Sequence, residues 1–261
     1  MAYEFVLREV EAGVMTVTMN RPAVLNSCNR QMVAELCDAI GGAGGDEAVR
    51  AIVVTGAGRA FCAGQDLAEA VPASGPAPEI GEIVQGYNAL VRAVRGVEKP
   101  VVAAVNGTAA GAGANLALAC DIVFAAEEAS FLQAFIKIGL IPDTGGTFFL
   151  PRLVGTARAT ALMMLGGKVP ARQAKEWGMI YEVVPGAELL ARVGEFARDL
   201  ARQPTRGLGL IKRAINASMA NDLDAQLAVE ARLQSEAGRT ADYLEGVRAF
   251  QEKRPAVFRG T

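Results

Sequence analysis

The 261-residue sequence contains no histidine. That excludes a Ser-His-Asp triad, a Cys-His pair and histidine-ligated zinc, and leaves acid–base work to Asp, Glu, Lys, Tyr or Cys. Cysteine is sparse: Cys28, Cys37, Cys62 and Cys120 lie far apart, without the close pairing of a metal site. They read as reduced, mostly core thiols of an intracellular protein, and no metal is expected. Positive charge is scattered, with no basic run longer than the Lys253-Arg254 pair, and the formal net charge is −2. A nucleic-acid partner is therefore not expected. No apolar run approaches a membrane span; even residues 101–105 are broken by Asn106-Gly107. Residues 1–9 mix apolar and charged side chains, unlike a signal or transit peptide, so a soluble cytoplasmic protein is expected.

What is abundant is core material, since 51% of the residues are hydrophobic against 21% charged. This suits one large domain, or one domain with an appendage. Residues 5–10 and 14–19 read as a β-hairpin around Ala12-Gly13. Residues 31–40 have helical apolar spacing that stops at Gly41-Gly42. Residues 51–55 and 101–105 are short β-branched runs, the mark of strands buried on both faces. Residues 71–78 hold three prolines and read as a surface loop. Residues 80–95 form an amphipathic helix, residues 111–119 a small-residue helix opening on glycine, and residues 122–125 another strand. From residue 187 the pattern is almost wholly helical. The expected organisation is an α/β core over residues 1–200 and a helical region over residues 201–261.

Three segments carry candidate chemistry. Gly58-Arg59-Ala60-Phe61-Cys62-Ala63-Gly64-Gln65-Asp66-Leu67 follows the strand at 51–55, and its small residues let a backbone approach a ligand with free N–H groups. Asn106-Gly107-Thr108-Ala109-Ala110-Gly111-Ala112-Gly113-Ala114-Asn115 follows the strand at 101–105. A glycine-rich turn entering a helix offers unpaired N–H groups at the positive end of the helix dipole, suited to a developing oxyanion. Gly139-Leu140-Ile141-Pro142-Asp143-Thr144-Gly145-Gly146-Thr147 sets a lone carboxylate in an apolar turn. Each has a plainer reading as well: connector turns for the first two, a helix N-cap for Asp143.

Taken together, in this order and spacing, the three segments resemble the crotonase (enoyl-CoA hydratase/isomerase) superfamily. The similarity continues through Leu150-Pro151-Arg152, residues 174–184 and the tail at 245–254. The resemblance implies an α/β fold, a spiral of ββα units, followed by C-terminal helices that build a trimer, commonly a dimer of trimers. It implies a coenzyme A thioester as substrate, with no separate cofactor. Its oxyanion hole would consist of the main-chain N–H groups of Gln65 and Ala112. The segment Ala63, Gly64, Gln65, Asp66 and Leu67, with Gly111 and Ala112, matches the family's CoA-ester contacts. Phe250 and Lys253 match tail positions that reach a neighbouring subunit's CoA; helix packing and a solvated charge are their plainer readings.

Departures from the hydratase pattern point to an isomerase. Where hydratases carry two glutamates, this chain has Asn115 and Phe135. Asp143 stands where several enoyl-CoA isomerases carry their aspartate, and one base suffices to take a proton at one carbon and return it at another. Among Ile141, Pro142, Phe135 and Phe148 it should be partly desolvated, which raises its basicity. Asn115 is read as orienting a ligand or water, or else as a helix-surface amide. The runs at 111–118, 133–135 and 139–155 resemble the bacterial ring 1,2-epoxyphenylacetyl-CoA isomerases of phenylacetate degradation. Phe131, Phe135, Phe148 and Phe149 would then line a ring pocket, with core packing as the alternative. The other readings are a Δ3,Δ2-enoyl-CoA isomerase of aliphatic chains, an enoyl-CoA hydratase and, least favoured, a non-catalytic RNA-binding member.

Overall fold

The computed structural model describes residues 3–70 and 78–261. The chain begins with a hairpin of β1 (Val6–Glu11) and β2 (Val14–Met19), whose turn residues Ala12 and Gly13 both take positive φ. Two left-handed residues are what a tight hairpin between right-twisting strands needs. Helix α1 (Arg30–Gly42) follows, capped by the Asn29 side chain accepting from the Met32 N–H. It runs on through Gly41 and Gly42 rather than stopping there, because Gly42 stays in the right-handed helical region and passes into a short 3-10 turn.

Then comes a repeat: a long buried strand, a short strand in a second sheet, and a helix. β3 (Ala51–Gly56) leads to β4 (Ala60–Cys62), α2 (Leu67–Ala70) and α3 (Ile80–Gly96). β5 (Val101–Val105) leads to β6 (Thr108–Ala110) and α4 (Ala112–Ala119). β7 (Ile122–Ala126) leads to β8 (Ser130–Leu132), a 3-10 turn at Ala134–Ile138, and α5 (Gly146–Val154). The remaining elements are α6 (Thr156–Leu165), β9 (Lys168–Pro170), α7 (Ala171–Glu176), β10 (Glu182–Val184), α8 (Leu189–Ala201), α9 (Thr205–Ser218), α10 (Leu223–Ala237) and α11 (Ala241–Glu252).

One sheet has the order β1-β2-β3-β5-β7-β10 and the other β4-β6-β8-β9. Pairing is parallel except at β1/β2 and β8/β9. β3 and β5 are buried along their whole length, as strands covered on both faces must be. The second sheet was not visible in the sequence: its strands are three residues long, too short to show an alternation. Residues 71–77, within the expected loop, lie outside the described residues.

The helices show why they pack where they do. α3 buries Ile83, Tyr87, Leu90 and Val94, one stripe at helical spacing. α4 is buried on every side, which its glycine and alanine content allows. α8 buries Leu189, Val193, Ala197 and Ala201 against β2, β3, β5 and β7. Beyond it the chain is tied back by charge. Lys212 of α9 reaches the Asp121 carboxylate at 2.7 Å and the Val94 carbonyl at 2.6 Å, and Arg95 pairs with the same Asp121 at 2.9 Å. No helix among the described residues is long and apolar enough to cross a membrane.

Candidate active site

The site lies where the loop after β4 meets the N-terminus of α4. Cys28 pairs with Gln65 across an isolated parallel bridge: its N–H donates to the Gly64 carbonyl at 2.7 Å and its carbonyl accepts from the Asp66 N–H at 2.9 Å. Those two bonds use the peptide groups on either side of Gln65. The Gln65 N–H is left without a protein partner among the described residues. Ala112 is the first residue of α4, and its N–H is likewise unpaired, as the first turn of a helix dictates. The two segments touch at Gly64, where φ is +98°. A methyl there would sit 2.8 Å from the Ala110 carbonyl oxygen and 3.4 Å from the Ala112 nitrogen, so only glycine allows the approach. Two free donors thus stand side by side, one at a helix N-terminus, which is an arrangement for holding an oxyanion.

Asp143 shares a cavity with Gln65. It is not a helix cap: α5 starts at Gly146 and its N-cap is Gly145. The Asp143 carbonyl accepts from the Gly146 N–H at 2.8 Å and from Asn115 Nδ2 at 2.9 Å. Its carboxylate accepts from Thr144 Oγ1 at 2.7 Å. Burial pushes the Asp143 carboxyl up from its ordinary range, with the Thr144 hydroxyl acting in the other direction. Thr144 has φ 52°, a left-handed conformation that a β-branched residue takes only under constraint.

A cavity of about 330 Å³ joins Gln65 and Asp143, lined also by Leu67, Ala70, Ile80, Ile83, Val84, Phe135, Ile138 and Leu140. Asp143 is the one titratable side chain among those residues. A larger cavity of about 620 Å³ between α1 and α3 shares Gln65 and Ile83 with it. Its three acids have partners: Asp38 accepts from the Tyr3 hydroxyl at 2.8 Å, Glu69 accepts from the Arg30 N–H at 2.8 Å, and Glu82 lies 4.0 Å from the Arg30 guanidinium. The cavity at Asp143 sets a single carboxylate, desolvated by burial, among apolar side chains. Among the described residues no group of three or more Cys, Asp and Glu is placed to hold a metal ion.

The other expected site residues divide. Gly111 caps α4 and faces Phe135, whose ring would lie 3.7 Å from a methyl placed there. Ala63 and Gly64 form the loop under the donors. The Asp66 side chain is occupied by Arg21 at 2.8 Å, so that residue offers only main chain to a ligand. Leu67 is half exposed at the cavity edge. Asn115 is neither a surface amide nor free for a ligand: it is fully buried, and its Oδ1 accepts from Gln133 Nε2 at 2.7 Å while Nδ2 serves Asp143. Of the four phenylalanines, Phe131 and Phe149 are core, Phe148 is on the surface, and only Phe135 lines the cavity. Phe250 is 86% exposed on α11, so it is not packed as a helix residue within this chain, and neither it nor Lys253 lines the Asp143 cavity. Sequence reasoning missed Thr144 and Gln133. Both lie inside segments singled out above, at 133–135 and 139–155, but a segment does not show which of its side chains meet a distant partner.

The fold and this site define an enzyme of the crotonase superfamily that acts on CoA thioesters. The chain belongs to the enoyl-CoA hydratase/isomerase family, whose profile matches residues 9–261. It is 54% identical to the 1,2-epoxyphenylacetyl-CoA isomerase of Escherichia coli strain K12, over 98% of this chain and 99% of that one. It is 47% identical to a probable enoyl-CoA hydratase of Rhodobacter capsulatus over the full length of both. Among solved structures, the enoyl-CoA hydratase of Bacillus anthracis superposes with a TM-score of 0.94 at 33% identity, covering 99% of this chain and 100% of that one.

Proposed function

We propose that the protein is an acyl-CoA isomerase that converts ring 1,2-epoxyphenylacetyl-CoA to the oxepin-CoA and also shifts the double bond of 3-enoyl-CoA esters. The observation that carries this reading is the Asp143 carboxylate, the one titratable side chain lining an apolar cavity that also reaches Gln65, whose free N–H lies beside the Ala112 N-terminus of α4. With Asn115 and Phe135 at the positions of the hydratase glutamates, no second carboxylate lines this cavity among the described residues to orient water. The 54% identity to the Escherichia coli epoxide isomerase supports the ring substrate.

In a 3-enoyl-CoA, the CH2 between thioester and alkene is acidic because its anion spreads onto the thioester oxygen. Asp143 removes one of these protons. The charge that develops on oxygen is held by the N–H groups of Gln65 and Ala112. Protonated Asp143 then returns the proton at C4, and the double bond lies between C2 and C3. The epoxide fits the same chemistry. Opening the ring carbon–carbon bond shared with the epoxide gives a seven-membered enol ether carrying the CH2-thioester on an alkene carbon. The same proton shift then conjugates the alkene with the thioester. Coenzyme A enters as part of the substrate, along Ala63 to Leu67.

Incubating the enzyme in parallel with 3-enoyl-CoA, crotonyl-CoA and the epoxide, with products identified by mass and absorbance, tests the reading. Isomerised products of unchanged mass are expected from the first and third, and little water addition to crotonyl-CoA. Rapid hydration with no isomerisation would reverse it.

The tail helices are proposed to assemble a trimer or a dimer of trimers, placing Phe250 and Lys253 of one subunit near another's CoA. In support, Ile211, Ile215, Leu223, Leu227, Leu244 and Phe250 are exposed apolar residues on α9, α10 and α11. Replacing Leu223 and Leu227 by glutamate is expected to yield a folded monomer in light scattering. An unchanged oligomer would place the interface elsewhere.

A further inference from the structure

Asp143 is held by its main chain, and that hold is built from two buried amides. Asn115 lies one turn along α4 from the donor Ala112, so whatever bonds Asn115 to the Asp143 turn also sets the distance between base and oxyanion hole. Its side chain lies flat against the start of α5: a methyl on Gly146 would meet Asn115 Nδ2 at 2.3 Å. The polarity of the chain of bonds is forced. A carbonyl oxygen only accepts, so Asn115 must present Nδ2 to Asp143. Its Oδ1 then points to residue 133 and needs a donor. Gln133, itself buried, supplies Nε2 at 2.7 Å, although this leaves Gln133 Oε1 without a partner among the described residues. A buried amide held in an orientation that leaves its own oxygen unpaired is fixed by what its nitrogen does.

We propose that Gln133, through its hydrogen bond to Asn115, is the positioning residue that sets the Asp143 carboxylate relative to the Gln65 and Ala112 donors. Gln133 touches no reacting atom in this role. Without its donor, Asn115 has no reason to keep Nδ2 toward Asp143, and a flipped amide would set oxygen against oxygen and push the base turn away. This rests on Asp143 being the base.

The test uses Gln133→Met, which keeps length and removes the donor, and Gln133→Glu, whose carboxylate instead accepts from Asn115 and drives the flip. With 3-enoyl-CoA, kcat is expected to fall by about 10- to 100-fold, the size of loss that a misplacement of about 1 Å produces, with KM within about twofold. Because Gln133 acts through Asn115, the same change made in an Asn115→Ala background should lower kcat no further. A merely structural role would instead lower the melting temperature and leave the kcat of the folded fraction alone. If glutamate unfolds the protein, the methionine variant decides, and the reverse. Asp143→Asn run alongside separates the two ideas. If it is inactive while a folded Gln133 variant turns over like the parent, or loses as much again in the Asn115→Ala background, the positioning role is wrong and the base stands. If Asp143→Asn is fully active, the base assignment fails and this inference fails with it.

Discussion

Asp143→Asn is expected to reduce turnover of 3-enoyl-CoA by about 10²–10⁴, the usual loss on removing a general base. The asparagine keeps the shape of the side chain and can still accept from Thr144, so the turn survives while the proton acceptor does not. KM should change little, since on the proposed reading the acyl-CoA is held by Ala63 to Leu67 and the two donors. Exchange of the α-proton with deuterated water should be lost together with isomerisation.

The same variant has a stability signature. Asp143 binds its proton more tightly when folded than when unfolded, because burial raises its pKa. Between the two pKa values the native state therefore holds more protons, and stability falls as pH rises through that window. At neutral pH the buried charge is a net cost, so Asp143→Asn should melt at the same or a higher temperature than the parent. Had Asp143 been an N-cap, the substitution would leave activity intact. In the parent, kcat should decline on acidification at a higher pH than an ordinary aspartate would give, and the asparagine variant should lose that inflection. A folded Asp143→Asn enzyme with parental turnover would rule out the proton shuttle.

Ala112→Pro is expected to lower kcat by about 10²–10³, or about 2.7–4 kcal/mol of transition-state stabilisation, the loss measured for single oxyanion-hole donors. Ala112 is the first residue of α4, where a helix accepts proline because that N–H has no helical partner. The substitution therefore deletes a donor without deleting a helical hydrogen bond. Ala112→Ser keeps the N–H and serves as the control, with near-parental turnover expected. A folded Ala112→Pro enzyme working at the parental rate would mean that the thioester oxygen is held by other groups.

Much of this protein is determined by its sequence alone. The runs at β3 and β5 are β-branched and alanine-rich enough to be strands buried on both faces, and the Ile83, Tyr87, Leu90, Val94 stripe can only be an amphipathic helix. Each of these signals is contained within one element, so it survives without knowledge of the partners. The absence of histidine and the placing of Asp143 in an apolar turn likewise narrow the chemistry before any fold is known. What the tertiary structure decided is of another kind. β4, β6, β8 and β9 become strands only because neighbours supply their ladder bonds. The Gln65 N–H is free because Cys28, 37 residues earlier in the chain, takes up the peptide groups beside it. Asn115 turns from a supposed ligand contact into a bracket because Gln133 and Asp143 arrive on either side of it. A hydrogen bond is a property of two groups, and the sequence specifies its second member only through the path of the folded chain.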